Sequence, residues 1–187
     1  MRKNFGSKTI SYTEPVFIIG TYNEDGTANA MNAAWAGIYD TNQIYVSLSD
    51  HKTCENFKRT HALTVSFGTE DTVKACDYVG LVSGTKVPNK VSIAGLTPVK
   101  SEFVDAPYFE ELKVALDCTI NTILENKDGI KIVCDIVNVN ADESVLTDGA
   151  IDPIKLKPLM YDPANHKYYT VTSYVADAFK VGKELIK

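Results

Sequence analysis

The sequence predicts a mostly β fold, a β-barrel with peripheral helices. Three observations point there. Ile44, Val46 and Leu48 alternate with Tyr45 and Ser47, and Leu63, Val65 and Phe67 alternate with Thr64 and Ser66, the period of a half-buried strand. Asp25-Gly26, inside Asn23-Glu24-Asp25-Gly26, is a strong hairpin turn because both residues tolerate positive φ. Two long alternating runs flank a second turn, Lys127-Asp128-Gly129. This many antiparallel strands must hide their edges, and closure into a barrel does so. Periodicity by itself fits a barrel or a sandwich.

Taken in order, residues 16–22 form a β-rich run behind Pro15, and residues 28–39 are expected as the strand returning from the first turn. That return holds more Ala and Gly than strands usually do. After the strand at 44–48, Ser49-Asp50 offers a cap for a short helix over 51–60, with Cys54, Phe57 and His61 on one side. A second short helix is expected over 72–81, with Val73, Cys76, Val79 and Gly80 turned inward. Residues 82–96 read as irregular, broken by Gly84, Pro88 and Gly95. In the long strands, Val114, Leu116, Cys118, Ile120 and Thr122 form one face, and Ile130, Ile132, Cys134 and Ile136 another. A last strand is expected at 167–171, and Ser173 is placed to cap a C-terminal helix over 174–184.

A chain of 187 residues with 44% hydrophobic content suits a single domain over 1–187. Its 24 acidic and 19 basic residues leave a net charge of −5, which argues against a nucleic-acid partner. A small phosphorylated ligand needs only a local cluster of donors and stays open. The N-terminal residues lack the apolar run of a signal peptide, and no stretch approaches the roughly 20 apolar residues of a membrane span. The expected location is the cytoplasm. The four cysteines, Cys54, Cys76, Cys118 and Cys134, form no Cys-x-x-Cys pair and read as buried, reduced thiols. With His51, His61 and His166 scattered, no metal site is expected.

Three segments carry candidate chemistry. In Asn29-Ala30-Met31-Asn32-Ala33-Ala34-Trp35, small residues leave room for something flat against the backbone. Asn29 and Asn32 supply amide groups, and the single tryptophan supplies an apolar wall. A core strand whose tryptophan fills the barrel explains the same pattern. In Ser47-Leu48-Ser49-Asp50-His51-Lys52-Thr53 a strand ends and a helix opens. First-turn N–H groups, two hydroxyls and Lys52 there suit a phosphate, against the competing reading of an ordinary capped helix. Ser83-Gly84-Thr85-Lys86-Val87-Pro88-Asn89-Lys90 is hydroxyl-rich with two lysines, able to close on a phosphate or to stand as a solvated loop. It lacks P-loop glycine spacing, and the chain has neither a Gly-x-Ser-x-Gly elbow nor a Gly-x-Gly-x-x-Gly fingerprint.

In order and spacing these segments resemble the flavin reductase-like family of FMN-binding split barrels, flavoredoxin type. The resemblance runs from Pro15-Val16 and Gly20-Thr21-Tyr22 through Asp25-Gly26 and the 29–35 segment. It continues through Val46-Ser47-Leu48, Lys52-Thr53, Asp77-Tyr78-Val79-Gly80, Ser83-Gly84 and Asn89-Lys90. Leu116-Asp117-Cys118, Gly149 with Ile151-Asp152, Pro158-Leu159 and Gly182-Lys183 complete it. It implies bound FMN, with Asn29, Met31, Asn32 and Trp35 along the ring and ribityl chain. It further implies Ser49, Thr53 and Lys90 toward the phosphate, with Lys52 as the charge in that turn and Ser47, Leu48, Ser83 and Gly84 lining the site; Lys86 is a weaker candidate. Where many family members carry an arginine near the phosphate, this chain has His51 and Lys52, a point charge in place of a fork. Asn89 stands where Asp is common. The resemblance also implies a homodimer and electron transfer through the flavin, from NAD(P)H or a small redox protein. A passive FMN-binding carrier and a pyridoxamine-phosphate-oxidase-like enzyme are the alternatives. Only two arginines, Arg2 and Arg59, stand against the last.

Overall fold

The computed structural model describes residues 1–12 and 14–186. In chain order its strands and α-helices are β1 (Glu14–Pro15), β2 (Phe17–Tyr22), β3 (Ala28–Ala33), β4 (Ala36–Asp40), β5 (Gln43–Leu48), α1 (Lys52–Thr60), β6 (Ala62–Phe67), α2 (Val73–Leu81), α3 (Lys90–Ile93), β7 (Pro98–Lys100), β8 (Pro107–Phe109), β9 (Val114–Asn126), β10 (Gly129–Ala141), β11 (Leu146–Thr147), β12 (Ala150–Ile151), α4 (Pro153–Leu156), β13 (Leu159–Asp162) and β14 (Lys167–Thr170). Seven strands form one antiparallel sheet in the order β3-β2-β6-β9-β10-β5-β4. The sheet curls until β3, one edge, touches β5 near the other. A smaller sheet, β1-β13-β14, lies outside it.

The alternation in the sequence becomes two cores. Met31, Val46, Leu63, Val65, Leu116, Cys118, Ile130 and Ile132 fill the inside of the curled sheet together with Cys54 and Phe57 of α1. Ile18 and Ala30 point to the other face, where Cys76 and Val79 of α2, Phe109 and Leu159 cover them. Phe57 is fully buried, so its truncation to Ala is expected to cost about 3–5 kcal/mol. The 23–27 turn forms as expected, with Gly26 N–H donating to Asn23 O at 3.0 Å and Asn23 N–H to Thr27 O at 2.8 Å.

Several expectations are corrected. The returning strand at 28–39 is two strands on opposite edges of the sheet: β3 pairs with β2, and β4 pairs with β5. Between them the chain crosses the mouth of the barrel at Ala34 and Trp35, and Ser47 N–H donates to Trp35 O at 2.7 Å. Closure of the sheet, not local propensity, requires that crossing. Neither Ser49 nor Asp50 caps α1: the N-cap is His51, without a side-chain cap bond. His61 is no core residue; it ends the helix in the left-handed conformation, φ 53°, and is exposed. A 3₁₀ turn, Glu70–Thr72, precedes α2, whose Val73 is only partly buried and whose Gly80 is solvent-accessible. The irregular stretch 82–96 contains the single turn α3. Residues 174–184 form no α-helix. They have no regular secondary structure to Asp177, then turn at 178–180 into a 3₁₀ turn, Val181–Leu185, with Tyr174, Val175 and Phe179 exposed. A short helix needs a surface on which to bury its apolar side, and this segment meets none.

Candidate functional site

Two connected spaces open where the chain crosses the barrel mouth. The larger is a cleft of about 700 Å³, and the smaller a recess of about 240 Å³. Met31, Asn32, His51, Gly80 and Leu81 line both. The register of β3 explains the junction. Met31 and Ala33 point into the barrel core, whereas Asn32 points to α2, where its Nδ2 donates to Cys76 O at 3.0 Å. α2 approaches β3 this closely because Gly80 has no side chain: a Cβ there would stand 2.9 Å from Asn32 Cβ.

The small recess concentrates polar groups. Asn29, Lys52, Thr53, Ser83, Gly84 and Lys90 all line it. Asn29 is buried, its Nδ2 donating to Thr53 Oγ1 at 2.9 Å and at 3.4 Å to Thr21 Oγ1. Asn56 extends this network, donating to Thr21 Oγ1 at 3.0 Å and to Asn23 Oδ1 at 2.9 Å. The first turn of α1 brings Lys52 and Thr53 to the recess with no side chain capping its N–H groups, which leaves donors and the positive end of the helix dipole there. Lys90 is 3% exposed, and its Nζ donates to Val79 O at 3.0 Å and Val82 O at 3.1 Å. Burial pushes its ammonium down to about 8. Gly84 closes against Asn29, whose Oδ1 would lie 2.5 Å from a Cβ at that position.

The large cleft has a different character. One wall is the strand segment Met31–Trp35 with Ser47, Leu48 and Ser49. The facing wall is the β13–β14 hairpin, which brings Tyr161, His166 and Tyr168, together with Asp77 of α2. Tyr161 Oη and His166 Nδ1 share a hydrogen bond at 2.8 Å, and Tyr168 Oη donates to Asp77 Oδ1 at 2.8 Å. Burial, and then the Asp77 carboxylate, push the Tyr168 hydroxyl well above the usual tyrosine range, so it remains a donor. Trp35 is half exposed at the lip, 6.2 Å from the Tyr161 ring. It does not fill the barrel.

All the residues that the resemblance set at the cofactor, except the weaker candidate Lys86, line one of two adjoining spaces. Trp35, Ser47, Leu48 and Ser49 line the cleft; Asn29, Lys52, Thr53, Ser83, Gly84 and Lys90 line the recess; Met31 and Asn32 line both. Lys86 lines neither. Sequence reasoning missed the hairpin wall. Its only signal was the Asp162-Pro163-Ala164-Asn165 turn between aromatic runs, which marks a hairpin but not where that hairpin docks.

The pattern of the flavin reductase like domain matches residues 9–172. Among solved structures, the chain is similar to flavoredoxin of Desulfovibrio vulgaris (Miyazaki F), with a TM-score of 0.92 and 36% identity over 98% of this chain and 100% of that one. Flavoredoxin from Methanosarcina acetivorans gives a TM-score of 0.89 and 28% identity, with both chains covered in full. Among curated proteins, the uncharacterized protein YdfE of Bacillus subtilis (strain 168) is 27% identical over 89% of this chain and 87% of its own length. The curled seven-stranded sheet, open where Ala34 and Trp35 cross it, is a split barrel. By its sequence over most of its length and by its fold, the chain belongs to the family of the flavin reductase like domain.

Proposed function

We propose that this chain, as one domain, is an FMN-binding oxidoreductase of the flavin reductase or flavoredoxin kind, with the flavin ring in the large cleft and the phosphate in the small recess. The observation that carries this reading is the junction at Met31, Asn32 and His51. It sets the two spaces side by side, which supports reading them as one site for a ligand with a flat body and an anionic tail. The residues present fit FMN. The recess offers two ammonium groups, two hydroxyls and first-turn N–H groups, and the missing side chain at Gly84 keeps it open. The cleft offers a floor of Ala33 and Ala34 and an amide at Asn32.

Bound FMN would supply one- and two-electron transfer. The chain's own residues bind and orient. Lys52, Thr53, Ser83 and Lys90 anchor the tail, Asn29 holds Thr53 in place, and Met31 and Leu48 exclude water from the ring. The electron donor in this reading is NAD(P)H or a small redox protein. A passive carrier is the second reading, favoured by the large cleft, whose lining among the described residues includes neither Lys nor Arg to meet a dinucleotide's phosphates. We infer also a homodimer, supported by the exposed apolar residues Ile38, Tyr45 and Val137 on neighbouring strands of the sheet.

An absorbance spectrum of the purified protein, followed by addition of FMN, tests the proposal. Flavin bands at about one FMN per chain are expected. A colourless protein that takes up no FMN overturns it. Rapid bleaching on mixing with NADH or NADPH supports a reductase; bleaching only by a protein donor supports the carrier.

A further inference from the structure

A third space lies behind the small recess. It holds about 680 Å³ and is walled by the β2–β3 hairpin, the turn leading into α3, and β7. Small-ligand sites occupy about 300–1,000 Å³. The floor is one end of the second core, formed by Ala28, Val91 and Leu96.

This pocket and the recess stand back to back. Along β3, Asn29 lines the recess and its neighbour Ala28 lines the pocket, because successive side chains of a strand point to opposite faces. At α3, Lys90 lines the recess while Asn89 and Val91 line the pocket. One strand and one helical turn therefore form a shared partition. A single turn is not stable by itself, so its position depends on what packs against it. On the recess side it is held by Lys90 Nζ, which donates to Val79 O at 3.0 Å and Val82 O at 3.1 Å. On the other side a ligand in the pocket would pack against Val91.

Charge narrows the guest. Asp25 in the hairpin and Lys100 in β7 stand on different walls. Among the described residues neither forms an ion pair. Asp25 Oδ1 accepts from Thr27 N at 3.0 Å and from Thr27 Oγ1 at 2.6 Å, which fixes the carboxylate in the turn. A guest with an apolar body and opposite charges at its two ends meets a counter-charge at each wall and an apolar floor between them.

We propose that this pocket is an effector site for a small apolar zwitterion, of the size and chemistry of a hydrophobic dipeptide, with its ammonium toward Asp25 and its carboxylate toward Lys100. By bracing α3 it lowers the cost of ordering Lys90 for a phosphate, so ligand and FMN tighten each other's binding. The tie to FMN rests on the reading of the recess above; the binding of the zwitterion does not.

The test is calorimetric titration of the full chain, flavin-free and FMN-loaded, with three probes sharing one aliphatic body. They are leucyl-leucine, a zwitterion; leucyl-leucinamide, a cation; and N-acetyl-leucyl-leucine, an anion. Saturable binding of leucyl-leucine is expected, at least about threefold tighter than either relative, as suits charges at an open rim. Lys100→Gln should make leucyl-leucine and its amide bind alike. Asp25→Asn, which keeps an acceptor for Thr27, should do the same for leucyl-leucine and its acetylated form. The FMN-loaded chain should bind leucyl-leucine at least about threefold more tightly than the flavin-free chain, and saturating leucyl-leucine should tighten FMN by the same factor. Equal affinities for the three probes, both substitutions without effect, or no saturable heat up to about 10 mM overturns the site. Equal affinity with and without FMN overturns its effector role. A chain that binds leucyl-leucine but takes up no FMN upholds the site and overturns the reading of the recess.

Discussion

In the small recess the polar atoms are committed: Asn29 to Thr53 and Thr21, Lys90 to two carbonyls, Gly84 pressed against Asn29. In the large cleft the aromatic faces lie open, and Trp35 is half exposed. The two spaces share lining residues, and on the proposed reading they separate two tasks. A site that must hold one phosphate is small, cationic and held by buried hydrogen bonds. A site that must admit and release a partner is wide, aromatic and short of cations. Substitutions in the recess should therefore affect both folding and FMN affinity, and substitutions at the cleft lip should affect binding alone.

Within the two spaces the largest effect is expected from Lys90→Ala. Val79 O and Val82 O lose their donor, at a cost of about 1–3 kcal/mol in denaturant unfolding. FMN affinity should fall by about 10–100-fold while riboflavin, which lacks the phosphate, is little affected. Equal losses for the two flavins would erase the division between the spaces. Next comes pH. Below about 8 the buried Lys90 is charged and available to a phosphate; above it, binding must first return a proton to the amine. FMN affinity should therefore weaken as pH rises past about 8, by at most about tenfold per unit, measured by flavin fluorescence titration. The Lys90→Arg variant should flatten that slope. Asn29→Ala leaves Thr53 Oγ1 without its donor and should weaken FMN about tenfold, with about 1 kcal/mol lost in thermal unfolding. The smallest effect on stability belongs to Trp35→Ala. A buried aromatic truncation costs about 3–5 kcal/mol, but at this half-exposed site less than about 1 kcal/mol is expected, with a several-fold loss of FMN affinity. A loss of core magnitude would put Trp35 back among the barrel-filling residues.

What could be read from the sequence follows the range of the interactions. The strands at 44–48 and 63–67 and the paired long strands announce themselves by alternation, because burial of one face is written into each run. The segments 29–35, 47–53 and 83–90, each with an ordinary structural explanation by itself, stood out as candidates only through their shared order and spacing, and the fold brings them to two adjoining spaces. The break between β3 and β4 was not: nothing local at Ala34 and Trp35 demands it, and only closure of a seven-stranded sheet does. Tyr168 stayed hidden because its partner Asp77 is 91 residues away in the chain, and the local Tyr161–His166 pair does not say where its hairpin docks. The expected helix at 174–184 failed for the converse reason: a capping serine is a local signal, and the apolar side chains Tyr174, Val175 and Phe179 stay exposed.

All four cysteines are buried, and burial raises each thiol above its ordinary range, Cys134 to about 12. At neutral pH the native chain thus presents no thiolate to an oxidant or an alkylating reagent. If it carries a flavin as proposed, electrons held there would have no sulfur side-track into disulfides, and the protein should keep its spectrum in air without added thiol. The same burial turns the cysteines into a timer. Because Cys118 and Cys134 sit in the middle of the barrel wall, their rate of modification by iodoacetamide should report how often the sheet itself opens.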